Sequence, residues 1–90
     1  MKIIVLGLGV SGRDAALLAY KNQNYVTALD EKDSPALRDE AAKLIAQGIK
    51  VILGFKDAKS FPEAELVITS PGIPDSSPMM QGAIQSGAEI

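Results

Sequence analysis

The chain has 90 residues, one domain at most, with a formal net charge of −2 and 47% hydrophobic residues, a composition that suits a packed globule and argues against disorder. That charge leaves no broad basic surface for nucleic acid, and an aromatic share of 4% leaves little for stacking on single strands. Cysteine and histidine are both absent, which excludes disulfides, thiolate or imidazole metal sites, thiol catalysis and the commonest general base.

In chain order, Ile3 to Leu6 is a continuous apolar run, β-branched except for Leu6. It reads as a strand buried on both faces, as in a parallel sheet. The run is too short for a signal peptide and is interrupted at once by glycines. No apolar run approaches the roughly 18 residues of a membrane span, so a cytoplasmic location with no membrane partner is expected. Residues 12–22 read as a helix with Ala15, Ala16, Leu18 and Ala19 on its packed side. Tyr25 to Leu29 is a second strand, ending at Asp30. Ser34-Pro35 opens a second helix, serine as N-cap and proline in the first turn. Its stripe is Leu37, Ala41, Leu44 and Ile45, with Gly48 as C-cap. Ile49 to Leu53 is a third strand. Residues 54–64 read as a surface connection with room for one helical turn, and Leu66 to Thr69 as a fourth strand. Ser70-Pro71-Gly72-Ile73-Pro74 forms a rigid loop. Ser77-Pro78 opens a third helix, with Met80, Ala83 and Ile84 facing in and Gly87 as cap. Ala88-Glu89-Ile90 begins a fifth strand.

Strands alternating with helices imply parallel strands joined by right-handed crossovers. The expected fold is α/β: residues 1–90 as a single three-layer Rossmann-like nucleotide-binding domain, with a parallel five-stranded sheet of order 3-2-1-4-5 and helices on both faces. A chain that stops inside an element is expected to be a piece of a longer multidomain protein.

Gly7-Leu8-Gly9-Val10-Ser11-Gly12 matches G-x-G-x-x-G directly after a strand and at the opening of a helix, the context that gives the motif meaning. Gly7 allows the tight turn. Gly9, lacking Cβ, lets a phosphate approach the backbone. Gly12 lets the helix pack close to the strand. The N–H groups of Val10, Ser11 and Gly12 and the helix dipole then face an anion, and Ser11 can add a hydroxyl donor. Asp30, at the end of the second strand, is placed to accept hydrogen bonds from the nucleoside end of such a ligand. Ser70-Pro71-Gly72-Ile73 follows strand 4, which is expected beside strand 1, so the loop reaches the crevice at the topological switch point. Arg13 reads as a solvated helix position, Glu63 and Glu65 as surface charges, and Met79-Met80 as core. No carboxylate pair has spacing that argues acid–base catalysis.

The glycine turn and the Ser-Pro-Gly-Ile loop together resemble the N-terminal domain of the D-glutamate-adding Mur ligases of peptidoglycan synthesis, the UDP-N-acetylmuramoyl-L-alanine:D-glutamate ligases, over the whole chain. The resemblance implies a domain that holds the UDP part of a UDP-linked substrate. Gly9, Val10, Ser11 and Gly12 would meet the diphosphate. Asp30 and Glu31, with Lys32 beside them, would lie along the uridine. Ser70, Pro71, Gly72 and Ile73 would close on the nucleotide and sugar. Family members often carry threonine or serine followed by arginine where Glu31 and Lys32 stand. The implied parent is a cytoplasmic, ATP-dependent amide ligase of cell wall biogenesis and cell division that uses ATP and Mg. Its central and C-terminal domains carry the chemistry, so this domain alone is expected to be inactive, with no catalytic residue, metal or cofactor of its own. No G-x-x-x-x-G-K-[ST] phosphate loop occurs in the chain. The rival reading is the NAD-binding domain of an oxidoreductase, which the glycine turn and Asp30 fit equally. A third is a regulatory domain that kept the fold and lost the ligand.

Overall fold

The structure is a computed structural model and describes residues 1–70 and 72–90. Its sheet is parallel, with strands in the order β3-β2-β1-β4: β1 (Lys2–Leu6), β2 (Tyr25–Asp30), β3 (Lys50–Leu53) and β4 (Leu66–Thr69). Three α-helices connect them or follow: α1 (Val10–Lys21), α2 (Pro35–Gln47) and α3 (Pro78–Ser86), with a short 3-10 turn at Ala58–Ser60. β1 is central and pairs with β2 from Lys2↔Tyr25 to Leu6↔Leu29 and with β4 from Ile3↔Leu66 to Leu6↔Thr69. The carboxyl ends of β1, β2 and β4 are therefore level. The chain leaves β1 toward β2 on one side and returns as β4 on the other, so the switch point lies between β1 and β4.

β1 is apolar without alternation because both its faces are covered. Ile3 and Val5 pack under α1 and α2 with Ala16, Ala28 and Leu44. Ile4 and Leu6 face the other side, with Leu29, Val67, Met79, Met80 and Ala83. Phe55 and Phe61 close that second core edge-to-face, ring centroids 6.1 Å apart. The Arg13 guanidinium reaches Glu40 at 3.2 Å, tying α1 to α2, and this hydrogen bond holds the Glu40 carboxyl below its ordinary range.

The expected order holds for four strands; a five-stranded sheet is not shown. Ala88–Ile90 contribute one isolated parallel bridge, Leu66↔Glu89. Val67 N–H donates to Glu89 O at 2.7 Å and Glu89 N–H to Glu65 O at 3.2 Å. Gly87 N–H is still committed to Ile84 O in the helix cap, and Ala88 N–H goes to Ser86 Oγ. Pairing with β4 thus begins only at Glu89. The first helix also starts earlier than expected, at Val10, which places Gly12 inside its first turn.

The buried stripes are narrower than the sequence pattern suggests. Leu18, Ile45 and Ile84 are exposed by more than half. Each helix lies on the sheet with one line of contact: Gly12, Ala16 and Ala19 on α1, Ala41 and Leu44 on α2, and Met79, Met80 and Ala83 on α3. Leu18 lies on the far side of α1 from its line, while Ile45 and Ile84 sit beside theirs and reach only the rim. Met79 and Met80 are buried as expected of core, whereas Ile84 is not.

Candidate functional site

The site is built from three connections that leave the level carboxyl ends of β1, β2 and β4. The first is the glycine turn. Gly7 adopts φ +90°, a left-handed value open to glycine at little cost, and its N–H donates to Leu29 O at 2.7 Å. Gly12 is pressed against this turn: a Cβ there would collide with Gly7 O, so α1 starts as close to β1 as backbone allows. Gly9 is the opposite case. Its φ of −65° suits any residue, and a Cβ built on it meets nothing within 4 Å. Among the described residues nothing fills the space beside Gly9.

Among the described residues no side chain caps α1. Its first helical bond runs from Arg13 N–H to Gly9 O at 2.9 Å, so the N–H groups of Val10, Ser11 and Gly12 precede the helix's own ladder. The other two helices are closed at this point. Ser34 Oγ accepts from Leu37 N–H on α2, and Ser77 Oγ accepts from Met79 N–H on α3, each at 3.2 Å. Among the described residues, α1 is the helix with an open, positively polarised N-terminus at the switch point, an arrangement suited to an anion.

The second connection follows β2. Both oxygens of Asp30 are engaged by backbone: Oδ2 accepts from Leu8 N–H and Oδ1 from Lys32 N–H, each at 2.9 Å. Asp30 thus ties the glycine turn to the β2–α2 connection and forms an Asx-type turn with Lys32. Next to it, Glu31 Oε1 accepts a 2.5 Å hydrogen bond from Ser77 Oγ–H. The third connection follows β4. Ile73 N–H donates to Ser70 O at 3.2 Å, and the Ile73 side chain lies 3.5 Å from the position a Gly7 Cβ would take.

Two hollows open between these connections and share Ser70. One, of about 210 Å³, is bounded by Leu6, Ser11, Gly12, Ala15, Thr69 and Ser70. The other, of about 310 Å³, is bounded by Gly7, Asp30, Glu31, Lys32, Ser70, Gly72, Ile73 and Ser77 among others. Of the residues expected from the sequence, Ser11, Gly12, Asp30, Glu31, Ser70, Gly72 and Ile73 therefore converge on one edge of the sheet. Gly9 and Val10 line neither hollow and stand exposed, in the chain between Gly7, which lines one, and Ser11, which lines the other. Pro71 lies outside the described residues. Arg13 turns to Glu40 and Asp14. Thr69, Pro74, Ser77 and Met79 also border the hollows. Sequence gave Ser77 only as a helix cap, and its long-range partner had no local signal. Among the described residues, no group of three or more His, Cys, Asp or Glu gathers, and no helix is long and apolar enough to cross a membrane.

Residues 1–90 match the family described as Mur ligase MurD-like, N-terminal domain. The chain belongs to that family. This MurD-like domain is 42% identical over 85 residues to the UDP-N-acetylmuramoylalanine--D-glutamate ligase of Listeria monocytogenes, covering 93% of the chain and 18% of the relative. It is 39% identical over 90 residues to the enzyme of the same name from Lactiplantibacillus plantarum, covering 99% of the chain and 19% of the relative. Among solved structures it is similar to the UDP-N-acetylmuramate-alanine ligase MurC from Thermotoga maritima, with a TM-score of 0.81 and 25% identity over the whole chain and 20% of that protein. The MurD-like domain thus spans about a fifth of the length of these relatives. Family membership decides against the oxidoreductase reading of the glycine turn.

Proposed function

We propose that this domain holds the UDP part of UDP-N-acetylmuramoyl-L-alanine for a D-glutamate-adding, ATP-dependent ligase of peptidoglycan synthesis. The observation that carries the reading is the uncapped start of α1 beside the open face of Gly9. Two phosphates there would take the N–H groups of Val10, Ser11 and Gly12, with the Ser11 hydroxyl as a further donor. The nucleoside would extend into the hollow bounded by Asp30, Glu31, Lys32, Gly72 and Ile73. Ser70, common to both hollows, would stand where diphosphate and sugar meet.

The domain's part is binding and orientation. An acyl phosphate formed from the substrate carboxylate and ATP, followed by attack of the D-glutamate amine, is the chemistry of the parent ligase. On this reading ATP and Mg act in the central and C-terminal domains of the parent ligase. The cytoplasm is the compartment that such a nucleotide-linked substrate requires.

Titration calorimetry of the 90-residue chain with UDP and with NAD tests the proposal. UDP binding with NAD silent is the expected result. NAD binding with UDP silent would overturn it.

A further inference from the structure

Ser77 is the one buried polar residue among the described residues, 5% exposed. A serine N-cap has only to accept a hydrogen bond. Ser34 does so from Leu37 N–H, and its hydroxyl makes no other bond among the described residues. At Ser77 the hydroxyl accepts from Met79 N–H and spends its own proton on Glu31 Oε1, 46 residues away in the chain. A hydroxyl bound to a carboxylate at 2.5 Å is in the strong, charge-assisted class. Glu31 directly follows Asp30, which holds Leu8 of the glycine turn. Two adjacent carboxylates therefore string three connections together: Asp30 fastens the turn after β1, and Glu31 fastens the helix after β4. Both bonds border the same hollow.

We infer that Ser77 is a positioning residue for the nucleoside end of the cleft and acts through Glu31. The bond fixes the distance between the β2–α2 connection and the start of α3. It also keeps a carboxylate that lines an anion-binding cleft engaged with a donor rather than free beside the ligand's own charge. This inference rests on the reading that the cleft takes UDP, with the diphosphate at α1 and the nucleoside between Asp30 and Gly72.

Calorimetry of the 90-residue chain with UDP and with inorganic pyrophosphate separates the two ends of the site. Glu31→Ala is expected to weaken UDP binding about tenfold while pyrophosphate changes by less than about twofold. Ser77→Ala should lose UDP affinity to a similar degree, and the double variant no more than either single one, because both remove the same bond. Glu31→Gln should recover most of the affinity, since its amide oxygen still accepts from Ser77. Equal losses for both ligands would reduce the bond to a general structural role and overturn the inference. Additive losses, or no recovery in Glu31→Gln, would overturn it as well. Amide hydrogen exchange between Gly72 and Ser77 in the ligand-free chain decides the latch independently of ligand: faster exchange in Glu31→Ala and recovery in Glu31→Gln are expected, and unchanged exchange refutes it. If the unaltered chain binds no UDP, the ligand reading fails and the exchange result still stands or falls on its own.

Discussion

The three helices of this domain begin in two different ways. α2 and α3 start with serine followed by proline, and each serine satisfies a backbone N–H of its own first turn. α1 starts with Gly9, which has no side chain to offer, and its first N–H groups face the edge of the sheet where β1 and β4 part. A glycine start costs a few tenths of a kcal/mol relative to a serine-capped one and leaves its first N–H groups open to an anion. The serine starts close α2 and α3 with their own side chains, whereas the glycine start leaves the N–H groups of α1 to an outside acceptor.

The largest expected effect comes from closing the space between α1 and its turn. Gly12→Ala places a Cβ against Gly7 O, and neither backbone can yield without moving the helix. The cost is expected to be about 2–4 kcal/mol, measured by denaturant unfolding. A loss below about 0.5 kcal/mol would mean that α1 can slide, and the tight contact would no longer explain the third glycine.

Asp30→Ala comes next. It leaves Leu8 N–H and Lys32 N–H without their acceptors, and Leu8 is buried. About 1–3 kcal/mol of stability should be lost, and UDP affinity should fall with it because the glycine turn is no longer held. If affinity falls with stability unchanged, Asp30 serves the ligand and not the turn. Ser34→Ala is the control at a closed helix start. It should cost about 1 kcal/mol through the lost cap and leave UDP affinity unaltered, since Ser34 borders neither hollow.

Much of this was legible in the sequence because it is local. Strand β1 announces itself by an unbroken apolar run, Ser34-Pro35 and Ser77-Pro78 by capping chemistry, and the glycine turn by its spacing. The level strand ends then bring Gly12, Asp30 and Ser70 to one edge. What escaped is long-range or a matter of degree. The Glu31–Ser77 bond joins residues far apart in the chain, and nothing near either one specifies the other. Asp30 was legible as a cleft residue, but its commitment to Leu8 and Lys32 depends on the turn's three-dimensional path. Leu18, Ile45 and Ile84 fit a helical stripe yet stand exposed, because periodicity gives a face and not its width. The fifth strand shows only as one parallel bridge at Glu89 beside β4, because the end of α3 keeps the amides of Gly87 and Ala88 for itself.

The smallest effect on stability is also the one that tests the contrast most directly. Gly9→Asp gives α1 the kind of start that α2 and α3 already have. The backbone at Gly9 is extended, with φ −65° and ψ 179°, which any residue adopts, and among the described residues nothing fills the space beside it. The new carboxylate can accept from the N–H groups of Ser11 or Gly12 and lies at the positive end of the helix dipole. Stability should rise by a few tenths of a kcal/mol, seen as a melting temperature about 1–3 °C higher. UDP binding should disappear, because the same N–H groups are taken and a negative charge stands where the diphosphate would lie. The two changes have opposite signs, so loss of binding could not be attributed to a damaged fold. A variant that gained stability and still bound UDP would show that the diphosphate does not use the start of α1.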